Sequence, residues 1–271
     1  MTKKPAFALA FTFLISTLAY NPTDAFQKKT EREKTDEDFV AEECQKQFER
    51  SFSNFAARQV VEEQQTLSRA AVQVLDVEGS RNGGVSIRGW DQPDILIRAC
   101  KLASADDDAT VQAILKQLTI STEGGKVRIH EPEGGSDRRS SWTVQFSIFV
   151  PRDLAIEASV HNGGLSLSNL NGKVTGRSQN GGISVSKSGS TQSVIELHSQ
   201  NGGLILQVPE GFNSGIDAET SAHSRLDCRL PECPQNRTES DREPKRVQLG
   251  GPSPVVHVST RNGSLQIMSA K

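Results

Sequence analysis

Aromatic residues are scarce in this chain. One tyrosine, two tryptophans and eleven phenylalanines make up 5% of its 271 residues. The tyrosine, Tyr20, falls in the N-terminal stretch read below as a leader, which leaves phenylalanines and two tryptophans. The repeats described below offer no aromatic platform for stacking sugars. Positive charge is not in excess either, since 31 basic residues face 33 acidic ones. The clustered basic face that nucleic-acid binding calls for is therefore not expected. Aspartate is missing between Asp153 and Asp217, which excludes a calcium-binding β-roll with an aspartate in each turn. A second long apolar run is missing too. The one present, Ala6 to Tyr20, has 15 residues, short of the ~20 a membrane-spanning helix needs.

That run has the grammar of a signal peptide. Lys3 and Lys4 supply the positive start, and Thr23-Asp24-Ala25 puts small residues at the cleavage positions, so cleavage is expected after Ala25. Losing Lys3, Lys4 and Asp24 would take 31 basic and 33 acidic residues to 29 and 32, a net charge of −3. No cysteine follows closely enough for a lipid anchor. The chain is thus read as exported (periplasmic, cell-surface or secreted) with no transmembrane segment in its mature form. Export makes disulfides available to the four cysteines. Cys228 and Cys233 close a short loop around Pro231 and form the natural local pair, and Cys44 and Cys100 then pair by elimination. Zinc is the competing reading; the spacing is not the two-residue knuckle, and His223 is the sole histidine nearby.

Residues 26 to about 38 are charged and poor in apolar side chains, as in a solvated linker. Val40, Cys44, Phe48, Phe52 and Phe55 then recur at three- and four-residue steps, predicting an amphipathic helix within a segment 26–70. Its acidic Glu42, Glu43 and Glu49 favour packing on the fold over docking to an anionic membrane. A second helix is expected at Asp106 to Leu118, with Asp106, Asp107 and Asp108 at its N-terminus as capping groups, not calcium ligands.

The rest reads as strand. Val144, Phe146, Ile148 and Val150 alternate along one face of 142–150. The most informative feature is a repeat built on Asn82, Asn162, Asn180, Asn201 and Asn262, each followed by Gly-Gly or, in the last copy, Gly263-Ser264. Aliphatic residues stand three and five places after each asparagine, from Val85 and Ile87 to Leu265 and Ile267. Ahead of four of the turns an aliphatic or small residue alternates as well. The first copy is out of step there, as a bulge would make it. Asn-Gly accommodates positive φ where a strand must turn sharply, so these asparagines are expected in the left-handed region.

The separations favour a coil over a run of hairpins. Asn162 to Asn180 is 18 residues, with Asn171-Gly172 halfway, and Asn180 to Asn201 is 21. Two short strands in a near-constant period fit a parallel β-solenoid. The expected fold class is all-β: parallel β-solenoid or β-helix-like repeats over 71–271, a short N-terminal helical segment, one inserted helix, and a surface loop at 229–252.

These Asn-Gly-Gly units, with Gly89-Trp90-Asp91 after the first strand pair, resemble the bacterial "putative adhesin" domain family, a group of uncharacterised exported β-solenoid proteins. The resemblance covers roughly 71–271 without the 229–252 loop. Its motif is structural, so it implies a fold and, through the family's label, an adhesive role.

Catalytic constellations are not evident. Glu157, Glu196 and Glu210 are not expected in register, which argues against a glycosidase carboxylate pair. His161 and His198, one and three residues before their turns, are expected on opposite faces and not at a shared metal. No Gly-x-Ser-x-Gly elbow appears, and the sequons at Asn236 and Asn262 are ordinary chance matches. The chain is therefore read as a non-catalytic, cofactor-free structural or binding protein of the cell envelope, its partner an unassigned protein or glycan. The alternatives are a carbohydrate-active β-helix enzyme and an envelope-sensing accessory domain. If equivalent positions stack ~4.8 Å apart, the residues ahead of the turns form one row, Arg81, His161, Gln179, Gln200 and Arg261. Within that row His161, Gln179 and Gln200 are the candidate binding ridge.

Overall fold

The computed structural model of the chain describes Cys44, Lys46 and residues 55–133, 139–187, 193–212, 214–234, 244–250 and 255–270. The chain divides into two compact units, Met1–Phe39 and Val40–Lys271, and every described residue lies in the second. The leader, the linker and most of the helix expected from Val40 fall outside the described residues, as does the Asn236 sequon. Cys44 and Lys46 are helical, and Phe55 stands just ahead of the first strand.

The described chain is mostly β. Its strands are β1 (Ala57–Ser68), β2 (Val74–Glu78), β3 (Val85–Trp90), β4 (Asp94–Ala105), β5 (Thr119–Ser121), β6 (Lys126–His130), β7 (Ser140–Pro151), β8 (Ala155–Val160) and β9 (Leu165–Ser168). They continue with β10 (Val174–Ser178), β11 (Ile183–Ser186), β12 (Ile195–Ser199), β13 (Leu204–Val208), β14 (Ile216–Thr220), β15 (Leu226–Cys228), β16 (Lys245–Leu249), β17 (Val256–Thr260) and β18 (Leu265–Ser269). One helix, α1 (Asp108–Gln117), follows β4. Asp107 caps it, its carboxylate accepting from the Thr110 N–H at 2.8 Å and hydroxyl at 2.9 Å. These bonds hold the Asp107 carboxyl below its ordinary range. That is the capping role expected of the triple aspartate.

Two nine-stranded open sheets result. The first runs β1-β4-β7-β3-β9-β11-β13-β18-β15, the second β16-β14-β17-β12-β10-β8-β2-β6-β5. Each repeated turn carries the chain from a strand of the second sheet to a strand of the first, making one rung. Neighbouring rungs pair in parallel, residue for residue, from Val85↔Leu165 and Leu165↔Ile183 to Ile183↔Leu204 and Leu204↔Leu265.

The sheets are not uniformly parallel, and this corrects the expected fold. β1 and β4 pair antiparallel, as do β4 and β7, β5 and β6, and β14 and β16. Nor do the rungs follow chain order. β17 pairs with both β12 and β14, so the C-terminal rung inserts inside the rung that precedes it in sequence. Two further segments differ from expectation. Ala57–Ser68 belongs to a long strand, not to a linker or helix, and Lys245–Leu249 is a strand inside the expected loop. Both are edge strands: β1 carries polar residues on both faces over Glu62–Thr66, and β16 is only five residues long, alternating about the buried Val247.

The period-2 aliphatics build the core. Val85, Leu165, Ile183, Leu204 and Leu265 form one inward row, and Ile87, Leu167, Val185, Leu206 and Ile267 the next, all at most 4% exposed. Each such side chain contributes roughly 1.5–3 kcal/mol on burial. Opposite them stand Ile156, Val174, Ile195 and Val256, within the same cluster. The first copy does carry a one-residue bulge. Glu78 pairs with Ser159, and the Arg81 carbonyl takes the next rung's Asn162 N–H at 3.1 Å. Gly79 and Ser80 therefore stand where the next copy has Val160 alone.

Both disulfides form as expected, Cys44–Cys100 and Cys228–Cys233. The second closes a loop directly after β15, whose three residues cover only part of β18. The Arg229 N–H continues that pairing to the Ile267 carbonyl at 2.8 Å. A short strand with a closed loop leaves little open edge for another chain.

Lys187 breaks the inward pattern. It is 2% exposed and occupies the level of Val208 in the next rung, its N–H bonded to the Gln207 carbonyl at 2.9 Å. Its Nζ donates to Ser193 Oγ at 2.9 Å and lies 5.5 Å from the centre of the Phe212 ring. Burial pushes its pKa below the ordinary 10.5. The unfolded chain then binds more protons between the lowered pKa and 10.5, so stability rises with pH across that window. We expect Lys187→Met to be more stable than wild type at neutral pH, its advantage shrinking as pH approaches 10.5. Thermal melts at stepped pH check this, and an advantage constant up to pH 10 would contradict it.

Candidate functional site

The repeated turns lie over one another and form a ladder. The Asn162 side chain donates to Asn82 Oδ1 at 3.1 Å, Asn180 to Asn162 at 2.9 Å, Asn201 to Asn180 at 2.8 Å, and Asn262 to Asn201 at 2.8 Å. A second ladder runs beside it in the backbone. The N–H groups of Asn162, Asn180, Asn201 and Asn262 donate to the carbonyls of Arg81, His161, Gln179 and Gln200 at 2.7–3.1 Å.

This geometry corrects the expected reason for the motif. None of the five asparagines has positive φ; among described non-glycine residues that conformation occurs at Asn169 alone. Asparagine is used for its amide, which donates and accepts at once and so chains from rung to rung. Glycine is used for closeness. A Cβ on Gly163, Gly181, Gly202 or Gly263 would lie 2.0–2.1 Å from the carbonyl oxygen of the glycine one rung earlier. The second glycine is less constrained, and the last copy has Ser264 there. Loss of the amide is therefore what matters at Asn180. Asn180→Gly and Asn180→Ala should each cost about 1–2 kcal/mol, two exposed hydrogen bonds' worth. Urea titration measures both, and a tolerated glycine beside a damaging alanine would restore the positive-φ account.

A hydroxyl two residues ahead of the asparagine was a signal open to the sequence and missed. Ser178 Oγ donates to the Gly181 carbonyl at 2.8 Å, Ser199 Oγ to Gly202 at 2.9 Å, and Thr260 Oγ1 to Gly202 at 2.8 Å. These buried hydroxyls satisfy turn carbonyls that point inward. Ser80 serves β7 in the same way, accepting from the Val144 N–H at 3.3 Å and donating to its carbonyl at 3.2 Å.

The backbone ladder brings the expected row together. Arg81, His161, Gln179, Gln200 and Arg261 occupy successive rungs; Gln200 is half-buried and the other four are exposed. On the far side of the asparagines a groove of about 650 Å³ crosses the first sheet. Gly84, Gly164, Gly182 and Gly203 line it, with Ser166 and Ser184 beyond them. The asparagine ridge thus has a polar row on one flank and a shallow groove on the other.

The outer face of the second sheet departs from expectation. Glu157 and Glu196 do fall in register, with Thr175 between them. The row continues to His257 and Asp217. His198 shares this face, its Nδ1 2.9 Å from Ser259 Oγ, while His161 stays at the turn. Separations in sequence hid this alignment because β17 inserts out of order. A hollow of about 290 Å³ lies here. The Arg246 guanidinium, at 2.6 and 2.7 Å, holds the Asp217 carboxyl below its ordinary range, and His257 adds to this. Among the described residues no group of three or more His, Cys, Asp or Glu side chains is arranged to hold a metal ion. Among them, too, no helix is long and apolar enough to cross a membrane.

No protein-family model matches the chain, and no curated protein matches its sequence. Its fold is similar to that of a solved "putative cell adhesion protein" from Clostridium sporogenes. The TM-score is 0.50 at 11% identity, over 78% of this chain and 100% of the other. A solved "putative adhesin" from Bacteroides fragilis is matched at a TM-score of 0.28 and 11% identity, over 80% of this chain and all of the other.

Proposed function

We propose that this chain is an exported, non-catalytic, adhesin-like binding protein whose repeats form a β-solenoid. The residues flanking its asparagine ladder are the contact surface for an extended ligand at the cell envelope. The observation that carries this reading is the row Arg81, His161, Gln179, Gln200 and Arg261. Five polar side chains, none acidic, stand on consecutive rungs whose backbones are bonded to one another beneath them. Regular spacing suits a repeating ligand. Two disulfides fit an oxidising compartment, and the solved structure of similar fold is named for cell adhesion.

The enzyme alternative rests on the row of Glu157, Glu196 and Asp217. A general acid needs a raised pKa, whereas Arg246 holds Asp217 lowered and ionised. The test begins with a glycan and extracellular-matrix array probed with the mature protein. The variant carrying His161→Ala, Gln179→Ala and Gln200→Ala together, shown to be folded, should then lose at least about tenfold in affinity, since several polar contacts go at once. Unchanged binding would reduce the row to plain surface. Release of reducing ends from any bound glycan would favour the enzyme.

A further inference from the structure

We infer that the ridge takes an acidic polysaccharide carrying about one anionic group per disaccharide; this deepens the binding reading above and rests on it. The inference starts from the arginines. Carboxylates engage Arg69, Arg98, Arg128, Arg152, Arg229 and Arg246. Arg58, Arg88 and Arg139 have other interactions, and Arg225 acts on Asp227 through space. Three arginines have no side-chain partner among the described residues: Arg81, Arg177 and Arg261. Arg81 and Arg261 stand at the turn corner, and Arg177 lies in β10 one outward row behind it. Unpaired, exposed guanidinium groups gathered in one place are the usual equipment for recognising carboxylate or sulfate.

Their order along the stack is regular. Arg81 belongs to the first rung and Arg261 to the fifth, both directly ahead of their asparagines. Arg177, on the third rung, lies in the adjacent outward row, paired with Ser159 on one side and His198 on the other. His161 and His198 occupy the second and fourth rungs. Arginines therefore recur on alternate rungs, roughly 10 Å apart along the stack with Arg177 set back by roughly 7 Å along its strand, a step near the length of one disaccharide in an extended chain. Amide groups fill the intervals: Gln179, Gln200 and the outward half of each asparagine's hydrogen-bonding capacity, which suit uncharged hydroxyl and N-acetyl groups.

Carboxylates near the corner do not cancel it. Glu131 accepts from the Arg81 backbone N–H at 2.7 Å, and Glu78 is engaged by Arg128 at 3.0 Å. Glu219 shares the outward row of Arg177, beyond His198 and Ser259, and Glu157 and Glu196 lie one outward row further from the turn. The rows hold no phenylalanine, tyrosine or tryptophan, the large platforms on which successive nucleic-acid bases stack.

The experiment compares hyaluronan, which carries one carboxylate per disaccharide, with polygalacturonate, neutral dextran and single-stranded DNA, using the intact disulfide-bonded protein. Hyaluronan should bind, weaken as salt rises, and lose about five- to tenfold with each of Arg81→Ala, Arg177→Ala and Arg261→Ala, a single charge-assisted contact apiece. Thermal melts of the three variants should match wild type, since these side chains are exposed. Polygalacturonate should bind no more tightly than hyaluronan despite its denser charge. Dextran bound as well as hyaluronan, with the arginine variants silent, would overturn the acidic-ligand inference and leave the ridge intact. DNA bound as tightly as hyaluronan would overturn the choice of polysaccharide. Failure of every polysaccharide to bind would overturn the inference, while the ridge reading still stands or falls on the array and the His161, Gln179 and Gln200 variant.

Discussion

Gly163→Ala should unfold the protein or cost it roughly 4 kcal/mol, while Gly164→Ala stays within about 1 kcal/mol of wild type. The two glycines are adjacent, exposed to different degrees, and identical in chemistry. What separates them is the rung beneath. A Cβ on Gly163 would stand 2.1 Å from the Gly83 carbonyl oxygen and 2.5 Å from its carbon. No rotamer change relieves a clash with backbone, and moving that backbone disturbs the Asn82–Asn162 and Arg81–Asn162 bonds beside it. A Cβ on Gly164 meets nothing nearer than the Gly182 oxygen at 3.8 Å. Urea denaturation of the two variants, side by side, is the check. Equal losses would mean the turns are not stacked as described.

Removing Cys44–Cys100 by a double serine substitution should cost roughly 4 kcal/mol, about twice the effect of removing Cys228–Cys233. The difference follows from the loops closed, with sequence separations of 56 and 5. The longer loop includes all of β1, β2 and β3, so its bond restricts far more of the unfolded chain. It also ties the helical segment at Cys44 to β4, in the middle of the antiparallel end of the first sheet. Denaturation midpoints under non-reducing conditions measure both, and a larger loss from the five-residue loop would reverse the account.

The local features were legible in the sequence and the long-range ones were not. The aliphatics at the third and fifth places after each asparagine are the inward rows, because period-2 alternation reports burial directly. The out-of-step first copy is a real bulge, and elimination among four cysteines found both disulfides. What stayed hidden depends on register between distant segments. Nothing in the 61 residues separating Asn201 from Asn262 says that β17 and β18 slide in ahead of β14 and β15. Once they do, His257 stands between Glu196 and Asp217, a row that no spacing rule would assemble. The turn asparagines taught a different lesson. Asn-Gly has two physical uses, and positive φ is the commoner; stacking of five copies selects the other, since only stacked amides can bond in series.

The ridge exists only if the five turns stand in the order 82, 162, 180, 201, 262. Nuclear Overhauser contacts among the five side-chain amides, with each asparagine assigned by substitution, test this most directly. The account predicts a contact between each neighbouring pair in that order, including Asn82 with Asn162 and Asn201 with Asn262, and none that skips a rung. Amides without mutual contacts, or Asn262 meeting Asn82 in place of Asn201, would contradict it.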